Sequence, residues 1–331
     1  MPKLPLLEKK FWFNAEPDIV NNLTGKIVLI DFWDYTCNNC IRAIPYITEW
    51  HKRYADKGLI IIGVHAPEFE FAKERENIAR AVAEFNLRYP IVMDNDLTIW
   101  NYLSNRYRPA RYIFDIQGML HYHHVGEGNY VEIETMTQKL LCEINQDIEL
   151  PEIMKPVRDI DAPGAVCYTV TPKMYLGNER GRIENEEACG GTGIFEFLDP
   201  GTYREDTFYL EGTWWIGSEY IRPAAENREP CSIIVNYSAA EVNMVIGPEK
   251  DDGFKVYIEQ DENALTPDNK GNDIKTDYED GRTYLLMERP KMYNIVRNNK
   301  TGRHILRLTA TSHNVAAYAF TFVSSCKVSP K

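Results

Sequence analysis

The residues Ile27-Val28-Leu29-Ile30-Asp31-Phe32-Trp33 form an almost unbroken run of branched and aromatic side chains. They end at Asp34-Tyr35-Thr36, and Cys37-Asn38-Asn39-Cys40 follows at once. Such a run reads as a strand covered on both faces, and a strand of that kind belongs in a mostly parallel sheet with helices on each side. Thr36 is a good N-cap for the helix predicted next, so Cys37 falls in its first turn and Cys40 one turn later on the same face. A thiol at a helix N-terminus meets unpaired N–H groups and the positive end of the helix dipole, which favours its thiolate. Two such thiols close a disulfide without moving the backbone. The pattern points to redox chemistry. Half of a zinc site is the alternative, but a second close pair of ligands is lacking, because Cys142, Cys167, Cys189, Cys231 and Cys326 each stand alone.

The first half continues as alternating elements. The helix runs to about Lys57, with Pro45 as a kink and Gly58 as its C′ residue. Leu59 to Val64 is a second buried strand, Phe69 to Asn86 an amphipathic helix, and Pro90 to Met93 a third strand. Thr98 to Tyr107 predicts a short helix. After Arg108-Pro109 come a strand to Asp115, a hairpin at Gly118, a strand from Met119 to Val125 and a closing helix over 131–145. The order β-α-β-α-β-α-β-β-α is that of an α/β domain, with the reactive group outside the carboxyl end of a strand, where Cys37 lies.

Composition excludes several classes of function. The net charge of −12 is spread over both halves of the 331 residues, and no basic stripe marks a nucleic-acid or membrane surface. No apolar run approaches the roughly 18 residues of a transmembrane helix, and the first ten residues carry no leader pattern. Seven thinly spread cysteines argue against a disulfide scaffold. The sequence as it stands reads as cytoplasmic. An extracytoplasmic location is the alternative if a leader or anchor has been removed.

Asp31-Phe32-Trp33-Asp34-Tyr35-Thr36-Cys37-Asn38-Asn39-Cys40 resembles the thioredoxin pattern D-F-W-x-x-W-C-x-x-C without gaps. The first half as a whole resembles the TlpA/ResA-like branch of the thioredoxin superfamily. The run Gly63-Val64-His65-Ala66-Pro67-Glu68-Phe69-Glu70-Phe71 looks like DipZ-type proteins, which fuse a membrane electron-transfer segment to a soluble thioredoxin-like region. This resemblance implies that Pro109 is the family's cis-proline, pressing on the disulfide and leaving the Arg108 backbone for a substrate strand. It also implies that Asp31 is the family's buried carboxylate, accepting the Cys40 proton. Two departures stand out: Asn38-Asn39 replaces Gly-Pro, and Thr36 replaces a tryptophan, which alters the docking surface for partners. Trp33 is expected to shape the surface beside the thiols. Arg108 either holds the Cys37 thiolate or points to water.

Beyond residue 165 the texture changes to nine short alternating segments, from Phe208-Tyr209-Leu210 to Ala316–Val323, which predict a β-sandwich of jelly-roll type. Thr171-Pro172-Lys173-Met174-Tyr175-Leu176-Gly177-Asn178-Glu179-Arg180 and Ala319-Phe320-Thr321-Phe322 again look like DipZ-type proteins, in which this domain resembles carbohydrate-binding modules. The expected organisation is a thioredoxin-like redox domain over 1–147, a linker over 148–165 marked by Pro151, Pro156 and Pro163, and the sandwich over 166–331. Trp214, Trp215 and Tyr220 are candidates for stacking a sugar ring, with a plain core role as the alternative. The acidic loop from Asp261 to Gly281 lacks the spaced pattern of a calcium loop. The cluster His121, His123 and His124 lacks the carboxylate or cysteine that would complete a metal site. The lone cysteines read as buried small hydrophobes.

The function expected is thiol–disulfide exchange with no cofactor beyond the redox-active disulfide Cys37–Cys40. Cys37 attacks a disulfide in a partner protein, Cys40 resolves the mixed disulfide, and an upstream donor restores the dithiol. Two alternatives stay open. A thiol peroxidase usually carries P-x-x-x-[TS]-x-x-C, and Phe32 stands where that proline would be. A binding module with a structural C-x-x-C would be inert to alkylation of Cys37.

Overall fold

The computed structural model describes residues 2–5, 7, 10–185, 190–224, 229–249 and 254–328. The chain forms two compact units, Met1–Pro163 and Gly164–Lys331.

The first unit is built on six strands: β1 (Trp12–Phe13), β2 (Ile27–Trp33), β3 (Leu59–His65), β4 (Ile91–Met93), β5 (Ala110–Phe114) and β6 (Leu120–Val125). Their order across the sheet is β1-β4-β3-β2-β5-β6. β2 pairs in parallel with β3, and β3 with β4, whereas β5 runs antiparallel to β2 and β6 to β5. Among the described residues, four α-helices belong to the unit: α1 (Asn38–Tyr54), α2 (Arg75–Glu84), α3 (Thr98–Tyr102) and α4 (Tyr130–Ile144). Strand side chains alternate between faces. Leu29 and Trp33 of β2 and Ile113 of β5 therefore share one core with Cys40, Ala43 and Ile47 of α1 and Ile133 of α4. Val28, Ile30 and Phe32 share the other with Tyr112, Phe114 and Ile99. This alternation puts Asp31 and Arg111 on the face that α1 and α4 cover. Gly58 ends the α1 segment at φ +108°, a conformation that glycine takes without strain.

The stretch read from the sequence as a linker is largely fastened to the first unit. Ile148, Leu150 and Met154 pack on its core. The Met154 N–H donates to buried Glu134, Arg53 donates to the Glu152 carbonyl, and the Val157 N–H donates to the Tyr46 hydroxyl. Arg158 pairs with Glu127 and Asp161. Prolines there block helix formation, but the segment still finds partners along α1 and α4.

The second unit is all β. Its two longest strands, Cys231–Pro248 and Lys291–Ala310, pair along most of their length. In the first of these, Cys231, Ile233, Val235, Tyr237 and Ala239 face one core, and after a bulge between Ala239 and Glu241 the inward set becomes Val242, Met244 and Ile246. The extra residue re-aims the strand and lets it pair with Val315–Val323 as well. Hydrogen-bond ladders join Thr207–Ile216, Ile221–Pro223, Val315–Val323 and Cys231–Pro248 in a ring, which closes a small barrel. The ring is part of one continuous 11-stranded sheet among the described residues.

Cys167 and Cys326, expected as buried small hydrophobes, form a disulfide between directly opposed residues of a two-stranded sheet, Ala165–Cys167 with Cys326–Val328. Cys142 is exposed rather than buried, Cys231 is a buried thiol, and Cys189 lies outside the described residues. Trp214 is 1% exposed and belongs to the core, so it is no sugar platform. Trp215 packs against Tyr220, with ring centroids 5.1 Å apart, and carries the Arg222 guanidinium 5.0 Å from its ring.

Candidate active site

Three turns at the carboxyl ends of β2 and β3 and just before β5 build the site. The buried strand β2 stops at Trp33, and the chain turns through Asp34-Tyr35-Thr36 into α1. The helix N-cap is Cys37 rather than Thr36. Its Sγ accepts a hydrogen bond from the Cys40 N–H at 3.2 Å, so the sulfur itself meets an unpaired donor of the first turn. Cys37 and Cys40 are joined in a disulfide. Cys37 is half-buried and Cys40 only 2% exposed, which makes Cys37 the sulfur that an incoming group reaches.

Asp34 organises this turn. Its carboxylate is fully buried and accepts the N–H of Thr36 at 2.9 Å and the N–H of Glu68 at 2.6 Å. Burial works to raise its carboxyl. The His65 ring 3.6 Å away, the Arg108 charge and the Thr36 N–H outweigh burial and hold it below its ordinary value. His65 is itself buried between Trp33 and Tyr35, stacked on the latter.

The Arg108–Pro109 peptide bond is cis. Arg108 neither reaches for the thiolate nor hangs in water. Its Nε donates to the Ala66 carbonyl at 2.6 Å and its Nη2 to the Pro67 carbonyl at 2.9 Å, and the guanidinium lies 4.6 Å over the Trp100 ring. Trp33 and Thr36, expected at the docking surface, are 1% and 0% exposed, so neither offers surface to a partner. Trp33 lies in the core that α1 and α4 cover, and Asp34 and Arg108 hold the turn at residues 66–68. Glu70 pairs with Lys73 at the start of a helical turn.

Asp31 is 3% exposed, on the sheet face under α1. Directly across the antiparallel ladder stands Arg111, and its Nε is 3.1 Å from Asp31 Oδ1. Burial drives the Asp31 carboxyl up from 3.8 to about 6, while the charge and hydrogen bond of Arg111 pull the other way. On the neighbouring strand a Cβ at Gly63 would stand 3.0 Å from the Tyr89 ring and 3.1 Å from Trp33 Nε1, a tight fit that those rings would have to relieve.

The arrangement is a half-exposed sulfur at a helix N-terminus, a buried partner sulfur one turn on, and a buried carboxylate behind them. Comparison with known proteins agrees with that geometry. Residues 15–123 match the AhpC/TSA family model, and residues 171–322 match the thioredoxin-like C-terminal domain model. Over 142 residues, 43% of this chain, it is 30% identical to the thiol-disulfide oxidoreductase YkuV of Bacillus subtilis and spans 95% of that protein. The chain belongs to the thioredoxin superfamily, among the thiol–disulfide oxidoreductases.

Two further relatives bracket this superfamily member. The thiol-disulfide oxidoreductase ResA of Bacillus cereus is 28% identical over 37% of this chain and 67% of its own. Protein DipZ of Mycobacterium tuberculosis is 35% identical over 243 residues, which is 71% of this chain and 34% of DipZ. The chain therefore spans about a third of the DipZ length. Sequence reasoning missed Arg111 and Asp34. The signal for Arg111 was present: a charged residue between Ala110 and Tyr112-Ile113-Phe114, in register with the apolar face of a buried strand, needs a carboxylate partner.

Proposed function

We propose that this chain reduces disulfide bonds in partner proteins by dithiol exchange through Cys37 and Cys40. The observation that carries the reading is the unequal exposure of two sulfurs sharing one helix turn: Cys37 half-buried at the N-cap, and Cys40 at 2%. The Cys37 thiolate attacks one sulfur of the partner disulfide, a mixed disulfide forms, and the first partner thiolate leaves and takes up a proton. Cys40 then loses its proton, with Asp31 as the acceptor through water, and attacks Cys37 Sγ. The Cys37–Cys40 disulfide closes and the second partner thiolate departs. Two electrons pass to the partner, and an upstream dithiol donor returns the pair to its reduced state. Pro109 and the Arg108 backbone line up the substrate strand beside the thiols. The electron carrier is the disulfide itself.

The compartment we favour lies outside the cytosol. The Cys167–Cys326 bond supports this, because a structural disulfide persists in oxidising surroundings. For the second unit we keep the sandwich reading, with long bulged strands crossing between layers as in a jelly roll. Its common core from Met174 to Phe322 supports it.

The test is dithiothreitol-coupled reduction of insulin. Cys37→Ser abolishes turnover, and Cys40→Ser accumulates a mixed disulfide with the substrate. Mixed disulfide from the first variant and none from the second would reverse the roles. Rapid consumption of hydrogen peroxide by the reduced protein, without insulin reduction, would favour a peroxidase.

A further inference from the structure

Arg111 is 0% exposed, yet it carries a guanidinium. Its Nε is bonded to Asp31, and among the described residues its two terminal nitrogens are buried without a hydrogen-bond partner. A charge in that position is a costly thing to build into a core if its only task is packing. The ladder fixes the pairing, because Asp31 and Arg111 are directly opposed residues of β2 and β5. Arg111 engages Oδ1, and no donor among the described residues is bonded to Oδ2. One carboxylate oxygen is thus anchored while the other stays available for a proton.

The groups nearest the pair are two phenols and an imidazole, and the charged side chains lie beyond them. Tyr89 faces Asp31, and burial pushes its phenol well above its ordinary value. Tyr130 of α4 stands against Arg111, with the guanidinium 5.4 Å over its ring, and burial raises its phenol too. His124 of β6 is the ladder partner of Arg111 on the other side, and burial lowers its imidazole from 6.5. Glu127, Arg158 and Asp161 lie beyond Tyr130, where they pair with one another.

We propose that Arg111 is a positioning residue for the exchange reaction: from the strand opposite, it orients the Asp31 carboxylate and keeps it ionisable in the neutral range. The claim rests on the reading of Asp31 as acceptor of the Cys40 proton. Without a fixed positive charge alongside, burial alone would hold Asp31 protonated at neutral pH, and a protonated carboxyl accepts nothing. Arg111 touches no reacting atom and acts only through Asp31.

The experiment compares the wild-type full chain with Arg111→Met and Arg111→Lys. It has two readouts: the midpoint of Asp31 titration by carboxyl carbon NMR, and the pH profile of single-turnover disulfide reduction. In Arg111→Met the midpoint rises, and the acid limb of the rate moves up with it. The rate on that limb falls about tenfold for each pH unit of displacement. Arg111→Lys, which keeps a charge, restores most of both. An unmoved Asp31 midpoint in Arg111→Met overturns the proposal and leaves Asp31 free to be the acceptor. A midpoint that moves while the rate profile stays put removes Asp31 from the mechanism instead, and the role of Arg111 falls with it. If Arg111→Met does not fold, the wild-type protein carries the test through the Arg111 Nε–H resonance. That signal titrates with the Asp31 midpoint and with the acid limb of the rate. A signal flat across that range overturns the proposal.

Discussion

Replacing Asp31 with asparagine sets two physical effects against each other. Taking one partner from a buried ion pair usually destabilises a protein by about 3–5 kcal/mol, because the other charge is left alone. Here the Asp31 carboxyl titrates at about 6 in the fold against an ordinary 3.8, so burial outweighs the attraction of Arg111. A carboxyl whose value is raised by folding contributes nothing unfavourable below its unfolded value. Its ionisation then destabilises the fold progressively as pH climbs toward the folded value, and the full cost persists above that. The gap between the two values is worth about 3 kcal/mol, at about 1.4 kcal/mol per pH unit. Asparagine resembles the protonated acid and escapes this cost. Asp31→Asn is therefore expected to match the wild type near pH 3.5, to gain on it between about pH 4 and 6, and to be about 3 kcal/mol more stable at pH 7.5. The assay is urea unfolding of the oxidised full chain, followed at the methyl signals of Ile30 and Ile62, both 0% exposed in the first unit. Signals from within the unit report its own transition even if the second unit unfolds separately. A variant less stable than wild type at pH 7.5 would refute the reasoning, since the pair's attraction would then exceed the cost of burial.

Arg108→Met removes two charged hydrogen bonds to the Ala66 and Pro67 carbonyls and is expected to lower first-unit stability by about 2–4 kcal/mol in the same urea assay. Amide exchange at Ala66 and Glu68 accelerates while the Cys37 thiol titrates as before; a raised thiol value would return Arg108 to the role of thiolate partner. Cys167→Ser opens a disulfide between residues 159 apart and is expected to lower second-unit stability by about 2–5 kcal/mol while leaving insulin reduction unchanged. Loss of turnover in that variant would make the second disulfide part of the exchange.

What the sequence revealed and what it hid divide along the distance between interacting residues. The strand over 27–33, the C-x-x-C turn, the glycine stop at 58 and the helix–strand alternation are local patterns, and each appears in the fold. Burial of Trp33 and Thr36 is not local. Trp33 shares a core with Ile47 of α1, Ile113 of β5 and Ile133 of α4, so a residue that looked like surface became interior. The Cys167–Cys326 pairing joins the first and last strands of the second unit, and no spacing rule links cysteines so far apart. The prolines at 151, 156 and 163 announced that the segment is not helical. They said nothing of whether Glu134, Tyr46 and Arg53 would bind its backbone. The bulge after Ala239 likewise leaves no distinctive residue, yet it decides which side chains of an 18-residue strand face inward.

The two groups that grip the 66–68 turn explain how a small site is kept in register. Asp34 leaves the end of β2 and takes the Glu68 N–H, whereas Arg108, just before β5, gives two hydrogen bonds to the carbonyls of Ala66 and Pro67. An acceptor from one side and a donor from the other hold successive peptide groups of the same turn, and the Ala66 N–H is bonded in addition to the Trp33 carbonyl. β2 lies between β3 and β5 in the sheet, so the turns carried by these three adjacent strands are cross-linked rather than merely neighbouring. The C-x-x-C turn shares in the linkage, because Asp34 also holds the Thr36 N–H one residue before Cys37. Exchange between sulfurs requires the attacking atom to meet its target along a narrow approach, so reaction rate depends on positional error of well under an ångström. A dithiol set on a free loop would lose that precision. Here the two sulfurs, the cis peptide before β5 and the turn between them are tied by hydrogen bonds into a single fastened site.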